Sequence, residues 1–325
     1  MHGLRLTPIA AGAAASSSPT QAQLGSYLAL LAATGLWGAQ FAAGKMGVTA
    51  LPAFALAFGR NAIAALIFTA LALRHKDGLR VRRADLWAFA LIAVAGSAMN
   101  QAAMFSGLRL APASDGALLQ PSSAPLFASL LLVLLGRELL TRRHALGTLI
   151  SLAGVALVFV GVNAGQPAAA GPGADRLLGD LCFLASGVAF GFYVVIGAPL
   201  FTRYGALKAT AIVFLLSLLP LAALAGFSGD GVGLLSMTSG DVLIMLFMGI
   251  FGSFGPFMLF NSSVPHVGPG AASRFGYLMP VWGLAISVPL LGERPSALQV
   301  LGGGLMVAGV WLSTSARPKT TTPSG

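Results

Sequence analysis

Charge and cysteine are what this chain has least of. Only 9% of its 325 residues are charged, nine of them acidic, and a single residue, Cys182, is a cysteine. A water-soluble chain needs about a quarter of its residues charged to cover its surface. The shortage of charge therefore excludes an ordinary soluble domain. One cysteine excludes an internal disulfide and any cysteine-based metal site. There is no glycine-rich loop with a following lysine, no HExxH and no paired carboxylate or Ser/His/Asp pattern. ATP-driven pumping by this chain, metalloprotease chemistry and serine-nucleophile chemistry are excluded with them.

What is present is apolar sequence. Hydrophobic residues make up 56% of the chain, and the mean hydropathy is +0.85. Ten apolar segments of about 20 residues are each long enough to cross a bilayer. They lie near 25–44, 53–73, 85–106, 113–135, 144–163, 177–199, 208–227, 240–260, 269–291 and 297–315. The expected class is an all-α polytopic membrane protein. Residues 1–24 read as a disordered cytoplasmic tail and 316–325 as a second tail. Residues 164–176 read as a Gly/Pro/Ala linker between two five-helix blocks, 25–163 and 177–315.

The net charge of +10 suggests nucleic acid only in a soluble protein. Here the basic residues sit in short loops, so no nucleic-acid partner is expected. With the N-terminus inside, 13 of the 19 Lys and Arg fall in inner segments and 4 (Lys45, Arg109, Arg176, Arg294) in outer ones. Arg60 and Arg274 fall within spans. The positive-inside rule then puts both termini in the cytoplasm.

The two blocks repeat. Pro125, Val133, Glu138, Gly147 and Gly154 return as Pro280, Val288, Glu293, Gly302 and Gly309, each 155 residues later. An internal repeat with five spans per copy must run through the bilayer in opposite senses, a plan that builds carriers around a pocket near the midplane. Gly147, Gly154 and Gly161, seven apart, form a small-residue stripe for close helix approach.

Order and repeat together resemble the EamA family of the drug/metabolite transporter superfamily. The residues that carry the likeness are Trp37-Gly38, Pro52, Arg60, Pro125, Glu138, Gly147 and Gly154. In the second copy they are Pro280, Leu291-Gly292-Glu293-Arg294, Gly302 and Gly309. The first copy departs from the pattern, since Arg137 separates Gly136 from Glu138. The resemblance implies a multi-pass carrier of the inner (plasma) membrane that moves small metabolites, often amino acids and often outward. It implies no cofactor. The partners expected are a small solute and the lipid bilayer. A homo-oligomer is compatible with this, although ten spans can enclose a pathway alone. The competing reading is an intramembrane enzyme acting on a lipid or prenyl substrate.

Polar residues inside spans are costly and mark cavities or interhelical bonds. Gln40, Asn100, Gln101, Gln120, Tyr193, Arg274 and Tyr277 are the candidate cargo contacts. Arg274 either grips an anionic group with its fork or snorkels to the headgroups. Trp37, Arg60, Pro125, Pro280, Glu138 and Glu293 read as structural or gating residues, the two glutamates as surface turn residues pairing with nearby arginines. Asp115, near the outer end of the fourth span, is the candidate coupling group. No metal site is expected.

Overall fold

The computed structural model describes residues 21–76, 78–136, 141–163, 173–234, 237–267 and 275–314, and among them there is no β-strand. In chain order the helices are α1 (Gln21–Ala50), α2 (Ala53–Ala72), α3 (Arg83–Leu91), α4 (Met99–Leu110), α5 (Ala113–Leu134) and α6 (Arg142–Asn163). They continue as α7 (Gly173–Tyr204), α8 (Ala206–Phe227), α9 (Ser239–Gly249), α10 (Gly255–Val267), α11 (Met279–Leu291) and α12 (Ala297–Thr314). A π-helical turn, Ile92–Ala98, joins α3 to α4, and a second, Ile250–Phe254, joins α9 to α10. Each joined pair therefore runs as one continuous rod.

This is a multi-pass membrane protein. Seven of the described helical rods are long and apolar enough to cross a bilayer, and 276–291 and 297–312 form two shorter apolar helices. α1 adds 30 residues, about 45 Å at 1.5 Å per residue. The described parts of the ten segments read from hydropathy fall largely on helix, but their bounds differ. α7 begins at Gly173, so Arg176, expected in the linker, stands on the helix. Part of the ninth segment lies outside the described residues.

Local sequence explains where helices start and stop. Pro52 and Pro112 precede α2 and α5, where a missing N–H and a fixed φ cost nothing. Thr238 and Asp241 form a reciprocal capping box at α9. Asp230 accepts the Phe54 N–H at 2.9 Å, and Glu293 accepts those of Ala113 and Ser114, both at 2.7 Å. A carboxylate at a helix N-terminus satisfies free donors and the dipole together. Gly136 and Gly292, both at φ +66°, follow α5 and α11, a left-handed position where glycine is favoured. They stand 156 residues apart, one more than the repeat offset, so Arg137 is an extra residue after the first stop.

Within α5, Pro121 and Pro125 remove two backbone donors. Residues 113–124 are buried, so the freed carbonyls face protein rather than lipid, the condition under which a membrane helix tolerates proline.

The most extensive helix contact is α6 with α12, and glycine makes it. A Cβ on Gly154 would lie 2.6 Å from the Gly302 carbonyl oxygen, and one on Gly309 would lie 2.5 Å from that of Gly147. Gly161 meets Ser296 and Gln299. Numbers rise on one helix as they fall on the other, so the pair is antiparallel. The remaining large contacts are α5 with α7, α2 with α8, α4 with α7, and α1 with both α10 and α11.

A side chain in this seam must push backbones apart. Gly154→Val is expected to destabilise the protein by about 1–3 kcal/mol, the usual cost of overpacking. Gly304→Ala, whose Cβ would meet nothing within 4 Å, is expected to be neutral. Thermal melts of the two detergent-solubilised variants check the contrast.

Candidate functional site

The ends of the helices gather charge at both faces of the bundle, and one charge stands alone deeper in. Arg60, the eighth residue of α2, lies about 10 Å along the helix from Ala53. It is 3% exposed. Its Nε donates to Ser253 Oγ at 2.8 Å, and its Nη2 donates to Gln40 Oε1 at 2.8 Å and to the Gly252 carbonyl at 3.0 Å. Its Cζ sits 5.5 Å from the centroid of the Phe105 ring, a cation–π contact. Each partner is neutral. Among the described residues no carboxylate pairs with it, and its Nη1 has no acceptor.

Four rods surround this arginine: α1 brings Gln40, α2 Arg60 itself, α4 Phe105, and the π-helical turn 250–254 brings Gly252 and Ser253. A π turn inserts one residue per helical turn and re-aims its side chains and carbonyls. That is how the Gly252 carbonyl and the Ser253 hydroxyl both reach the guanidinium. One turn from Phe105 on α4, Gln101 is buried, and its Oε1 has no donor.

A second polar cluster lies at the end of the bundle marked by Glu293. Asp115, fully buried, accepts from Arg176 Nε at 2.8 Å and Nη2 at 3.1 Å, and from Gln299 Nε2 at 2.6 Å. Asp180, one turn after Arg176, lies within hydrogen-bonding reach of Asp115, yet neither of its oxygens finds a donor among the described residues. Lys45 donates to the carbonyls of Leu108 and Ala111 at 2.6 and 2.9 Å. At the opposite end, Asp85 accepts from Arg203 and from the Tyr204 hydroxyl. That pair is open to solvent on the arginine side, with the Arg203 side chain 49% exposed.

The structure brings together some of the residues expected to act together and separates others. Gln40 joins Arg60. Asn100 is a lock between rods: its amide donates to the Ser186 carbonyl and hydroxyl, and Ser186 donates back to the Asn100 carbonyl. Gln120 is buried on α5. Tyr193 is buried on α7, stacks on Phe190 at 5.8 Å, meets the tilted ring of Phe201 at 5.2 Å, and bonds Thr210. Tyr277 is half-buried in a 3₁₀ turn. Trp37 packs on Phe257 and Phe260. Pro125 lies within α5, and Pro280 sits in the first turn of α11. Arg274 and Glu138 lie outside the described residues. Glu293 is corrected: it is a helix cap, not a surface turn residue paired with arginine. Asp115, Asp180 and Glu293 come together at one end.

Comparison with known proteins accords with this arrangement. Residues 23–160 and 177–315 each match the model of the EamA-like transporter family. The chain belongs to that family. An EamA-like fold also accounts for the relatives. An uncharacterized transporter of Archaeoglobus fulgidus is 26% identical over 291 residues, 88% of this chain and 96% of its own. A probable terminal-alkyne amino-acid exporter of Streptantibioticus cattleyicolor is 28% identical over 282 residues, 85% and 89% of the two chains. A crystal structure with 22% identity covers 91% of this chain and 98% of its own with a TM-score of 0.57, which supports the fold alone.

Sequence reasoning missed Arg176, Asp180, Gln299 and Ser253 in this EamA-like chain. The i, i+4 spacing of Arg176 and Asp180 at a helix start was the one available signal. Gln299 and Ser253 carry none, because their partners are 184 and 193 residues away.

Breaking a buried ion pair strands the remaining charge at a cost of about 3–5 kcal/mol, whereas replacing both members with apolar residues is often neutral. Arg176→Met alone is therefore expected to lower stability by about that amount. The double variant Arg176→Met with Asp115→Leu is expected to recover most of the loss. Thermal melts in detergent of the single and double variants test the sign of the coupling.

Proposed function

We propose that this chain is a secondary, ATP-independent carrier of small metabolites, with amino acids or related compounds as cargo and export as the direction. It works by alternating access between two inverted five-helix halves. The observation that carries the reading is an exchange of partners. Take the spans in order, with α3–α4 as the third, α9–α10 as the eighth and α11–α12 as the ninth and tenth. Then the first packs on the eighth and ninth, and the sixth packs on the third and fourth. The second packs on the seventh, and the fifth on the tenth. Swapping the halves leaves this pattern unchanged. In the fifth–tenth pair the swap is visible residue by residue, since Gly154 meets Gly302 and Gly147 meets Gly309. The π turns recur in the third and eighth spans. An antiparallel pseudo-twofold of this kind favours inverted repeats around a shared midplane site.

On this reading the Glu293 end is extracellular and both termini are cytoplasmic, in the inner (plasma) membrane. The outer end is then sealed by contacts between halves: Asp230 and Glu293 cap α2 and α5, and Gln299 and Arg176 hold Asp115. The cytoplasmic Asp85–Arg203 pair is wet and weak, as exposed pairs are. The conformation is closed outward. Asp115 is our candidate for ion coupling, because it lies between the halves beside Asp180 and would be released when the outer seal opens. Gln40, Gln101, Gln120, Tyr193 and Tyr277 are the proposed cargo-facing set. The likeness to an amino-acid exporter supports the cargo class.

Two measurements test this. In a Cys182→Ser background, Glu138→Cys and Arg294→Cys are expected to react with an impermeant maleimide from opposite faces; labelling from one face sinks the inverted arrangement. Proteoliposomes of the wild type are expected to exchange labelled amino acids by counterflow without ATP. Modification of a lipid in place of solute movement would overturn the carrier reading in favour of an enzyme.

A further inference from the structure

We propose that Arg60 anchors the carboxylate of the cargo, and that the cargo class is monocarboxylates whose α-amino group is dispensable. The inference rests on the carrier reading above and names what its site recognises. Arg60 and Arg176 are the two buried arginines among the described residues. Arg176 has its counter-charge in Asp115, and Arg60 has none. An arginine at this depth costs about 3 kcal/mol on insertion scales, and neutral acceptors offset only part of that. Each of the two arginines has one Nη without an acceptor, but only Arg60 is a desolvated cation with no carboxylate, and it lies next to a glycine. A Cβ on Gly252 would come no nearer than 3.7 Å to any neighbour, and the Arg60 Cζ and Nη2 would lie 3.8 Å from it. The side of the guanidinium facing the π turn is therefore bounded by a residue without a side chain.

A carboxylate supplies what is missing: an anion with two oxygens matched to the guanidinium fork. Among the described residues the site offers one cation. α8, the helix packed on α2, has Lys208 as its sole basic residue, in its first turn at the Asp85 end. One buried cation selects one carboxylate. No acidic side chain of the described residues acts on Arg60, so the pocket has no anionic partner for an ammonium. The unused Oε1 of Gln101 is the acceptor such a group would find, a neutral one. Removing the amino group should then cost little, and removing the carboxylate charge should cost much.

The test is competition in wild-type proteoliposomes at pH 7, with a labelled amino acid as tracer. Unlabelled competitors are the parent acid, its des-amino analogue, its amide and its methyl ester. The acid and the des-amino acid are expected to compete within a few-fold of each other, and the amide and ester about 100-fold more weakly. Arg60→Gln is expected to abolish the preference. Gln40→Glu keeps the side chain's shape and places a carboxylate beside Arg60. It is expected to fold at least as stably as the wild type and to lose acid competition, which keeps the test decisive if Arg60→Gln does not fold. Amides and esters competing as well as acids, or Gln40→Glu transporting acids normally, would overturn the assignment while leaving the carrier reading intact. Movement of no solute by the wild type would remove both.

Discussion

Close approach of backbones along α6 and α12 is the contact on which the rest of this structure hangs. In lipid there is no hydrophobic force to press helices together, so attraction comes from packing and from small residues that let backbones meet. Gly147, Gly154, Gly302 and Gly309 provide that surface. Because the two helices carry the same stripe and run in opposite directions, one contact ties the two matched segments together. The loop after α11 then delivers Glu293 to the start of α5, and α12 delivers Gln299 to Asp115.

The handling of polar groups follows from the same solvent. A bilayer cannot satisfy a free N–H or a charge, so polar groups here turn to protein partners. Pro121 within α5 is buried in protein, Asn61 on α2 donates to the Phe214 carbonyl and the Ser217 hydroxyl on α8, and Asn100 and Ser186 interlock α4 with α7. Among the charged groups, Arg60 has no carboxylate and Asp180 has no donor for either oxygen among the described residues. Both sit where elements of the two matched segments meet. An unsatisfied buried polar group in a native structure calls for an explanation of its own.

Much of this was legible beforehand. Apolar length identifies the helices, since each must bury about 20 residues in hydrocarbon. The offset of 155 identifies the duplication, and the glycine spacing identifies the packing face. The site was less legible. Gln40, Gln101 and Tyr193 stand out as polar residues in spans, but so does Asn100, which is a lock. Arg60 reads as structural because its partners do bond it. What sets it apart is the acid that is not nearby, and an absent neighbour leaves no mark on a linear chain. Glu293 reads as a turn residue because the donors it caps lie 180 residues away.

Sequence by itself therefore determined the class of protein, the helical rods, the duplication and the small-residue face, because each depends on local composition or on a periodicity along the chain. Tertiary structure alone decided which polar residues share a pocket, which carboxylate caps which helix, and which arginine goes without a counter-charge. Those depend on distances between residues far apart in the chain. They are set by how helices cross, and the same local pattern is compatible with many crossings.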